Sequence, residues 1–157
     1  RVLESGVGSG ALSMGLLRAG AEIVGYELRE DFAARARRNV AAFLGDGALG
    51  RGRIEVRDSY DGIDEREVDR IVLDLPEPWR VVGPATEALV PGGLFVAYTP
   101  QITQAARLRE ELDRRRFALA ETLEVMNRGW HIEGAAVRPN HRMVGHTGFL
   151  THARLLR

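Results

Sequence analysis

The sequence predicts an α/β domain: a mainly parallel sheet with helices on both faces and an antiparallel edge built by the C-terminal strands. Three observations lead there. Short β-rich apolar runs alternate with helical periodicity from Val2 to Arg116, the order that builds parallel sheets covered by helices. The first run, Val2-Leu3, passes through Glu4 into glycines at 6, 8 and 10 and then directly into a helical pattern. After Arg116 no helical pattern recurs, and the chain closes on strand-like segments alone.

Each element follows from its own signals. Ser9 is placed to cap a helix across 11–19, with Leu12, Leu16 and Leu17 on one face and Gly20 as its stop. A second strand spans 21–28. A helix across 31–44 repeats Phe32, Ala36, Val40 and Phe43 at helical spacing, with Arg35, Arg37 and Arg38 near its exposed side, and ends at Gly45-Asp46-Gly47. Residues 53–57 form a third strand ending at Asp58, and 68–73 a fourth ending at Asp74. A helix near 81–89 is stopped by Pro91-Gly92-Gly93, and a fifth strand covers 94–99. A long charged helix across 102–116 leads to strands at 118–126, near 131–137 and across 148–155, with a polar, basic loop before the last.

Composition narrows the function classes. At 157 residues and 45% hydrophobic, the chain makes one domain large enough to bury most of its unfolded surface. With no cysteine there is no disulfide framework, thiolate nucleophile or Cys-based metal site. The four histidines lack partners at metal-ligand spacing, so no metal is expected. No apolar run approaches membrane-spanning length and no signal peptide precedes the first strand, which makes a cytoplasmic location the default. All 22 basic residues are arginine, and net charge is zero, so nucleic-acid binding would rest on local patches. Arg1 already stands in the first strand, as expected of a core cut from a longer protein.

The chemistry gathers at the strand ends. Glycines at 6, 8 and 10 permit close backbone approach to a ligand, and the unpaired N–H groups of the first helical turn face the same space. Gly6-x-Gly8-x-x-Ala11, with Glu27 beyond it, also fits a dinucleotide fingerprint. Glu4 favours S-adenosylmethionine over NAD, since a carboxylate there can meet a cationic amino end but would face a dinucleotide's pyrophosphate, and with Gly10 the E-x-G-x-G-x-G alternation resembles motif I of the class I methyltransferases. Glu4, Glu27, Asp58 and Asp74 each finish a strand or stand one step from its end, where ligands sit in such sheets. Glu27 suits ribose hydroxyls. Phe32 packs beside the nucleoside or into the core. Asp58 suits the adenine amine or simply forms a turn. The stretch Asp74-Leu75-Pro76-Glu77-Pro78-Trp79 is stiffened by its prolines and carries either a rim aromatic or a core tryptophan. Arg138-Pro139-Asn140-His141-Arg142 and Arg114-Arg115-Arg116 are candidate phosphate contacts, although arginine runs on helices such as the second are more often solvated faces.

LESGVGSGAL, GYELRED, RRNV, DRIVLDLPEPW, VAYTPQITQ, RGWHIEGAAVRP and GHTGFL together resemble the bacterial and archaeal tRNA (adenine-58-N1)-methyltransferases. The resemblance spans essentially the whole chain. It implies a class I S-adenosylmethionine-dependent (SAM-dependent) methyltransferase fold, Rossmann-like, with a seven-stranded sheet, and a homotetramer acting on a T-loop adenosine of tRNA. It implies Asp74 as the active-site carboxylate. It is consistent with Glu4, Gly6, Gly8, Ser9, Gly10, Ala11, Leu12, Glu27, Phe32, Asp58 and Asp74 around the cofactor. On the substrate side it points to Pro76, Trp79, Tyr98, Gln101, Arg138, His146 and Thr147, the last two equally readable as a capping or core pair. Two departures stand out: the family's small N-terminal domain is absent from this chain, and Gln101 stands where the family pattern has Asn. Rival readings are another class I methyltransferase, such as one repairing isoaspartyl peptides, a non-catalytic SAM- or tRNA-binding subunit, and a NAD-dependent enzyme.

Overall fold

The structure, a computed structural model, describes residues 1–156, the side chains of Asp46 and Leu49 excepted. Strand β1 (Val2–Ser5), helix α1 (Ala11–Arg18), β2 (Ile23–Glu27), α2 (Glu30–Leu44) and β3 (Gly52–Val56) form the first half. The second half runs β4 (Val68–Asp74), α3 (Val82–Ala88), β5 (Leu89–Thr99), α4 (Ile102–Asp113) and β6 (Phe117–Glu124). A hairpin of β7 (Trp130–Glu133) and β8 (Ala136–Pro139) precedes the last strand, β9 (Phe149–Leu155).

Seven strands make one sheet in the order β3-β2-β1-β4-β5-β9-β6, and β7 and β8 form a separate pair. β1 to β5 pair in parallel, while β9 runs antiparallel between β5 and β6. The strand order reverses between β1 and β4, so both connections leave a crevice at their carboxyl ends. The glycine loop and the acids at the ends of β1, β2 and β4 meet at that crevice.

Alternation along the central strands divides the core in two. Leu3, Val24, Ile71, Leu73, Phe95 and Ala97 face α3 and α4, where Leu108 and Leu112 meet them. Val2 and Ile23 face the other way, against Leu17 of α1 and Ala33, Ala36 and Val40 of α2. Such two-sided burial is why these strands read as continuous apolar runs.

Several local expectations are corrected. Ser9 does not cap α1: the cap position is Gly10, left-handed and without a side-chain bond. Leu12 and Phe43, expected on buried helix faces, are 41% and 61% exposed. Leu12 turns toward the crevice instead, and Leu44 rather than Phe43 completes the α2 stripe. The strand near 131–137 is a hairpin, because Gly134 (φ 54) opens a two-residue turn between Glu133 and Ala136. Pro91-Gly92-Gly93 lies within β5, where the pairing with β4 shifts register between Val68 and Arg70. Proline is tolerated at such an irregularity. The helix stops at Ala88, and the first turn before it, Pro78–Val81, is 3-10.

Candidate active site

The floor of the crevice is the glycine loop. Gly6 (φ 85) lies so close to the end of β4 that a Cβ there would overlap the Asp74 carbonyl. Gly10 packs on α2, where a Cβ would stand 3.3 Å from Ala36. Three polar contacts hold the loop between them. Gly6 N donates to the Tyr26 carbonyl at 3.0 Å, Gly8 N donates to Glu27 Oε2 at 2.8 Å, and Asn39 Nδ2 donates to the Ser9 carbonyl at 2.9 Å. Asn39, on α2, was not singled out from the sequence, although it belongs to the RRNV segment.

The four strand-end acids occupy distinct settings. Glu4 is buried under the loop and accepts a hydrogen bond from Ser13 Oγ at 2.6 Å. Burial pushes its carboxyl up to about 7, the Ser13 bonds oppose that rise, and the charge of Asp74 adds to it. Glu27 binds Gly8 N through one oxygen and Arg29 N, at 3.0 Å, through the other, which fixes the plane of its carboxylate. Asp58 caps a short 3-10 turn by accepting from Tyr60 N at 2.8 Å. That turn is tied to β1 by Ser5 Oγ donating to Ser59 Oγ at 2.9 Å. Asp74 ends β4 at the crevice mouth, and partial removal of water holds its carboxyl above the ordinary value.

Two cavities open around Glu4, Glu27 and Asp74 and share Gly6, Gly8 and Asp74, while Asp58 lines neither. The larger, about 360 Å³, lies beyond Glu27 and is mostly apolar, walled by Leu28, Phe32, Leu75 and Pro76. The smaller, about 210 Å³, runs over the helix start and is lined by Glu4, Ser9, Ala11 and Leu12. Leu28 is 65% exposed at the larger cavity. It is a site residue that the sequence reading missed, as was Leu75. Their signal was present: an apolar residue directly after a strand-end acid. Phe32 is half-buried with the Arg29 guanidinium 4.2 Å from its ring centre.

The segment after Asp74 is braced from both sides. Glu77 N donates to Tyr60 Oη at 2.9 Å, and Gln104 Nε2 donates to the Pro76 carbonyl at 3.0 Å. Trp79 is partly buried: it packs against the core and carries the Arg107 guanidinium 4.2 Å from its ring centre. Tyr98 of β5 pairs in register with Asp74 and is 40% exposed, so it is the aromatic beside the carboxylate. A Cβ at Gly148 would overlap the Tyr98 ring, which explains a glycine before β9.

The remaining expected residues are spread out. Gln101 stands at the N-cap of α4, with its backbone N–H donating to Gln104 Oε1 at 3.1 Å. Arg138 lies on the separate hairpin and reaches its neighbour's carbonyl at 3.5 Å. Thr147 donates to Glu124 at 2.7 Å, and His146 is exposed. None of these four lines either cavity. Among the described residues, no group of three or more His, Asp or Glu side chains is placed to hold a metal ion, and no helix is long and apolar enough to cross a membrane.

A parallel sheet reversing between β1 and β4, a glycine loop at that point, and an antiparallel penultimate strand define the class I SAM-dependent methyltransferase fold. Residues 1–138 match the family model described as the tRNA methyltransferase complex GCD14 subunit, and the chain belongs to that family. It is 37% identical, over 98% of its length, to the tRNA (adenine(57)-N(1)/adenine(58)-N(1))-methyltransferase TrmI of Methanocaldococcus jannaschii. It is 38% identical, again over 98%, to the tRNA (adenine(58)-N(1))-methyltransferase TrmI of Thermus thermophilus. The chain spans 64% and 61% of those two relatives. Among solved structures it is similar to the TrmI tRNA (m1A58) methyltransferase of Aquifex aeolicus, with TM-score 0.86 and 28% identity over all of this chain and 62% of that one. A SAM-dependent O-methyltransferase of Thermotoga maritima gives TM-score 0.88 and 34% identity, over all of this chain and 59% of that one.

Proposed function

We propose that this chain is the catalytic core of an enzyme that transfers a methyl group from S-adenosylmethionine to N1 of adenosine 58 in the T loop of tRNA. One observation carries the reading: Asp74 stands in the wall shared by two cavities, between a glycine cradle and an exposed aromatic.

The residues present fit S-adenosylmethionine. The cradle at Gly6 has no room for a Cβ, and loop N–H groups lie at the helix start. Glu27 is held ready for ribose hydroxyls, while Leu28, Leu75 and Phe32 give apolar walls for a purine. Asp58 keeps one oxygen free of the Tyr60 bond and serves the purine amine. Glu4 meets the cationic amino end. Backbone at Gly8, Ser9, Gly10 and Ala11, with Leu12 beside it, closes the amino-acid end. When bound, the cofactor supplies a methyl on a sulfonium.

The acceptor asks little of the protein beyond placement. Ring N1 of adenine carries a lone pair, so no proton need be removed before attack, and orientation supplies most of the acceleration. Asp74 accepts a hydrogen bond from the exocyclic amine, fixes which ring edge is presented, and stabilises the cation that forms. A base stacked in folded tRNA must first be extruded, and Tyr98 receives its face. Pro76 shapes the entry. Gln101, Arg138, His146 and Thr147 serve the wider tRNA surface in this reading, with Arg138 on phosphate.

The hairpin exposes Trp130, Ile132 and Val137, an apolar surface that fits burial in a homotetramer. A tRNA substrate carries with it a cytoplasmic location. The test is direct: incubate the protein with labelled S-adenosylmethionine and bulk tRNA, then map the modified base. Label at N1 of adenosine 58 is the expected result, and label elsewhere or none overturns it.

A further inference from the structure

One peptide unit in the Asp74 segment is held at both ends. Pro76 and Pro78 bring no N–H to this stretch, so the Pro76–Glu77 peptide is one of its few places to anchor. Its N–H donates to Tyr60 Oη at 2.9 Å, from the turn after β3. Its carbonyl accepts from Gln104 Nε2 at 3.0 Å, from the first turn of α4.

Each anchor is itself fixed. Tyr60 N is held by Asp58, the Tyr60 ring lies under the Arg80 guanidinium at 4.0 Å, and Arg80 pairs with Glu77 at 3.1 Å. Gln104 has its oxygen engaged by the Gln101 N–H at 3.1 Å, which leaves its NH₂ aimed at Pro76. The braced peptide follows Leu75 and Pro76, which wall the larger cavity, and starts two residues after Asp74. Neither Tyr60 nor Gln104 lines that cavity.

We propose that Tyr60 and Gln104 are positioning residues: together they clamp the Pro76–Glu77 peptide plane and so hold Asp74, Leu75 and Pro76 in the geometry methyl transfer needs. This rests on the reading of Asp74 as the group facing the acceptor. A single hydrogen bond contributes modestly to stability, but a displacement of about 1 Å at a reacting centre can cost about 10² in rate. Loss of either bond therefore slows the reaction far more than it weakens the fold.

The experiment compares Tyr60→Phe, Gln104→Glu and their double variant in the full-length protein. Tyr60→Phe removes only the acceptor for Glu77. Gln104→Glu keeps the acceptor for Gln101 and sets a carboxylate oxygen against the Pro76 carbonyl in place of the donor. The expected result is a roughly tenfold fall in kcat for each, with KM for tRNA and the Kd of S-adenosylhomocysteine changed less than about threefold. Because both bonds hold one peptide, the double variant loses less than the product of the single losses. The Glu77 amide should also exchange with solvent roughly tenfold faster in Tyr60→Phe. Single variants within about twofold of the parent kcat overturn the proposal, as do multiplicative losses in the double variant or an unchanged Glu77 amide. A parent that binds S-adenosylhomocysteine yet methylates no tRNA overturns the acceptor reading instead, and the amide measurement still decides the clamp.

Discussion

Gly6 and Asp74 touch backbone to backbone: the Asp74 carbonyl oxygen occupies the space that a Cβ on Gly6 would need. The glycine loop and the end of β4 that carries Asp74 are therefore fitted against each other across β1 and β4. Neither can move without the other.

Gly6→Ala should break both at once. Its φ of 85 is unfavourable for any residue with a Cβ, and the new methyl must push the end of β4 aside. A loss of more than about tenfold in S-adenosylhomocysteine affinity and a lower melting temperature are expected, read by calorimetric titration and thermal unfolding. Gly15→Ala is the control. Nothing lies within 4 Å of a Cβ at that position in α1, so it should be neutral or stabilise by about 0.5–1 kcal/mol. Equal behaviour of the two variants would refute the fit.

Glu4 should make stability depend on pH. Its folded value of about 7 lies above the ordinary 4.5, so the folded state binds that proton more tightly than the unfolded chain. The stability this contributes is fully present below about pH 4.5 and is lost as pH rises through about 7. Glu4→Gln keeps an acceptor for Ser13 but cannot ionise. Urea midpoints at pH 5 and pH 8 should fall more for the parent than for Glu4→Gln over that interval. Parallel profiles would mean that Glu4 ionises freely in the fold.

Gly148→Ala should disturb the site more than the fold. The added Cβ would overlap the Tyr98 ring, and that ring is partly exposed and free to swing away. Stability should change by less than about 1 kcal/mol, while methyl transfer falls with the displaced aromatic. In a Tyr98→Ala background the same change should have no further effect on rate. A further drop there would place the cause outside Tyr98.

Much of this was legible in the sequence, and the limits have physical reasons. Val2-Leu3 and 68–73 read as strands because both faces of the central sheet are buried, and the acids after them marked the crevice. The apolar face of α2 was misjudged at Phe43 because helical spacing allows neighbouring stripes, and only packing against the core chooses Leu44. Glu133-Gly134-Ala135-Ala136 carried a hairpin signal that a single strand near 131–137 passed over. Trp79 read as a rim aromatic with a core tryptophan as the alternative, and the guanidinium that covers it in the fold belongs to Arg107, twenty-eight positions away. The Tyr60 and Gln104 bonds could not be read at all, since each joins segments that only the sheet brings together. Leu28 and Leu75 were readable, as apolar residues next to strand-end acids.

Asp74 carries the central claim, and its removal is the most direct test. The full-length protein and its Asp74→Ala variant should be assayed with labelled S-adenosylmethionine and tRNA, with S-adenosylhomocysteine binding measured on both. Loss of one well-placed electrostatic partner of a transition state typically costs on the order of 10²–10³ in rate. The account predicts a loss of that size at N1 of adenosine 58, with cofactor binding and fold retained. Asp74→Asn should keep part of the activity, since its amide oxygen still accepts from the exocyclic amine. Methylation by Asp74→Ala at close to the parent rate would contradict the account.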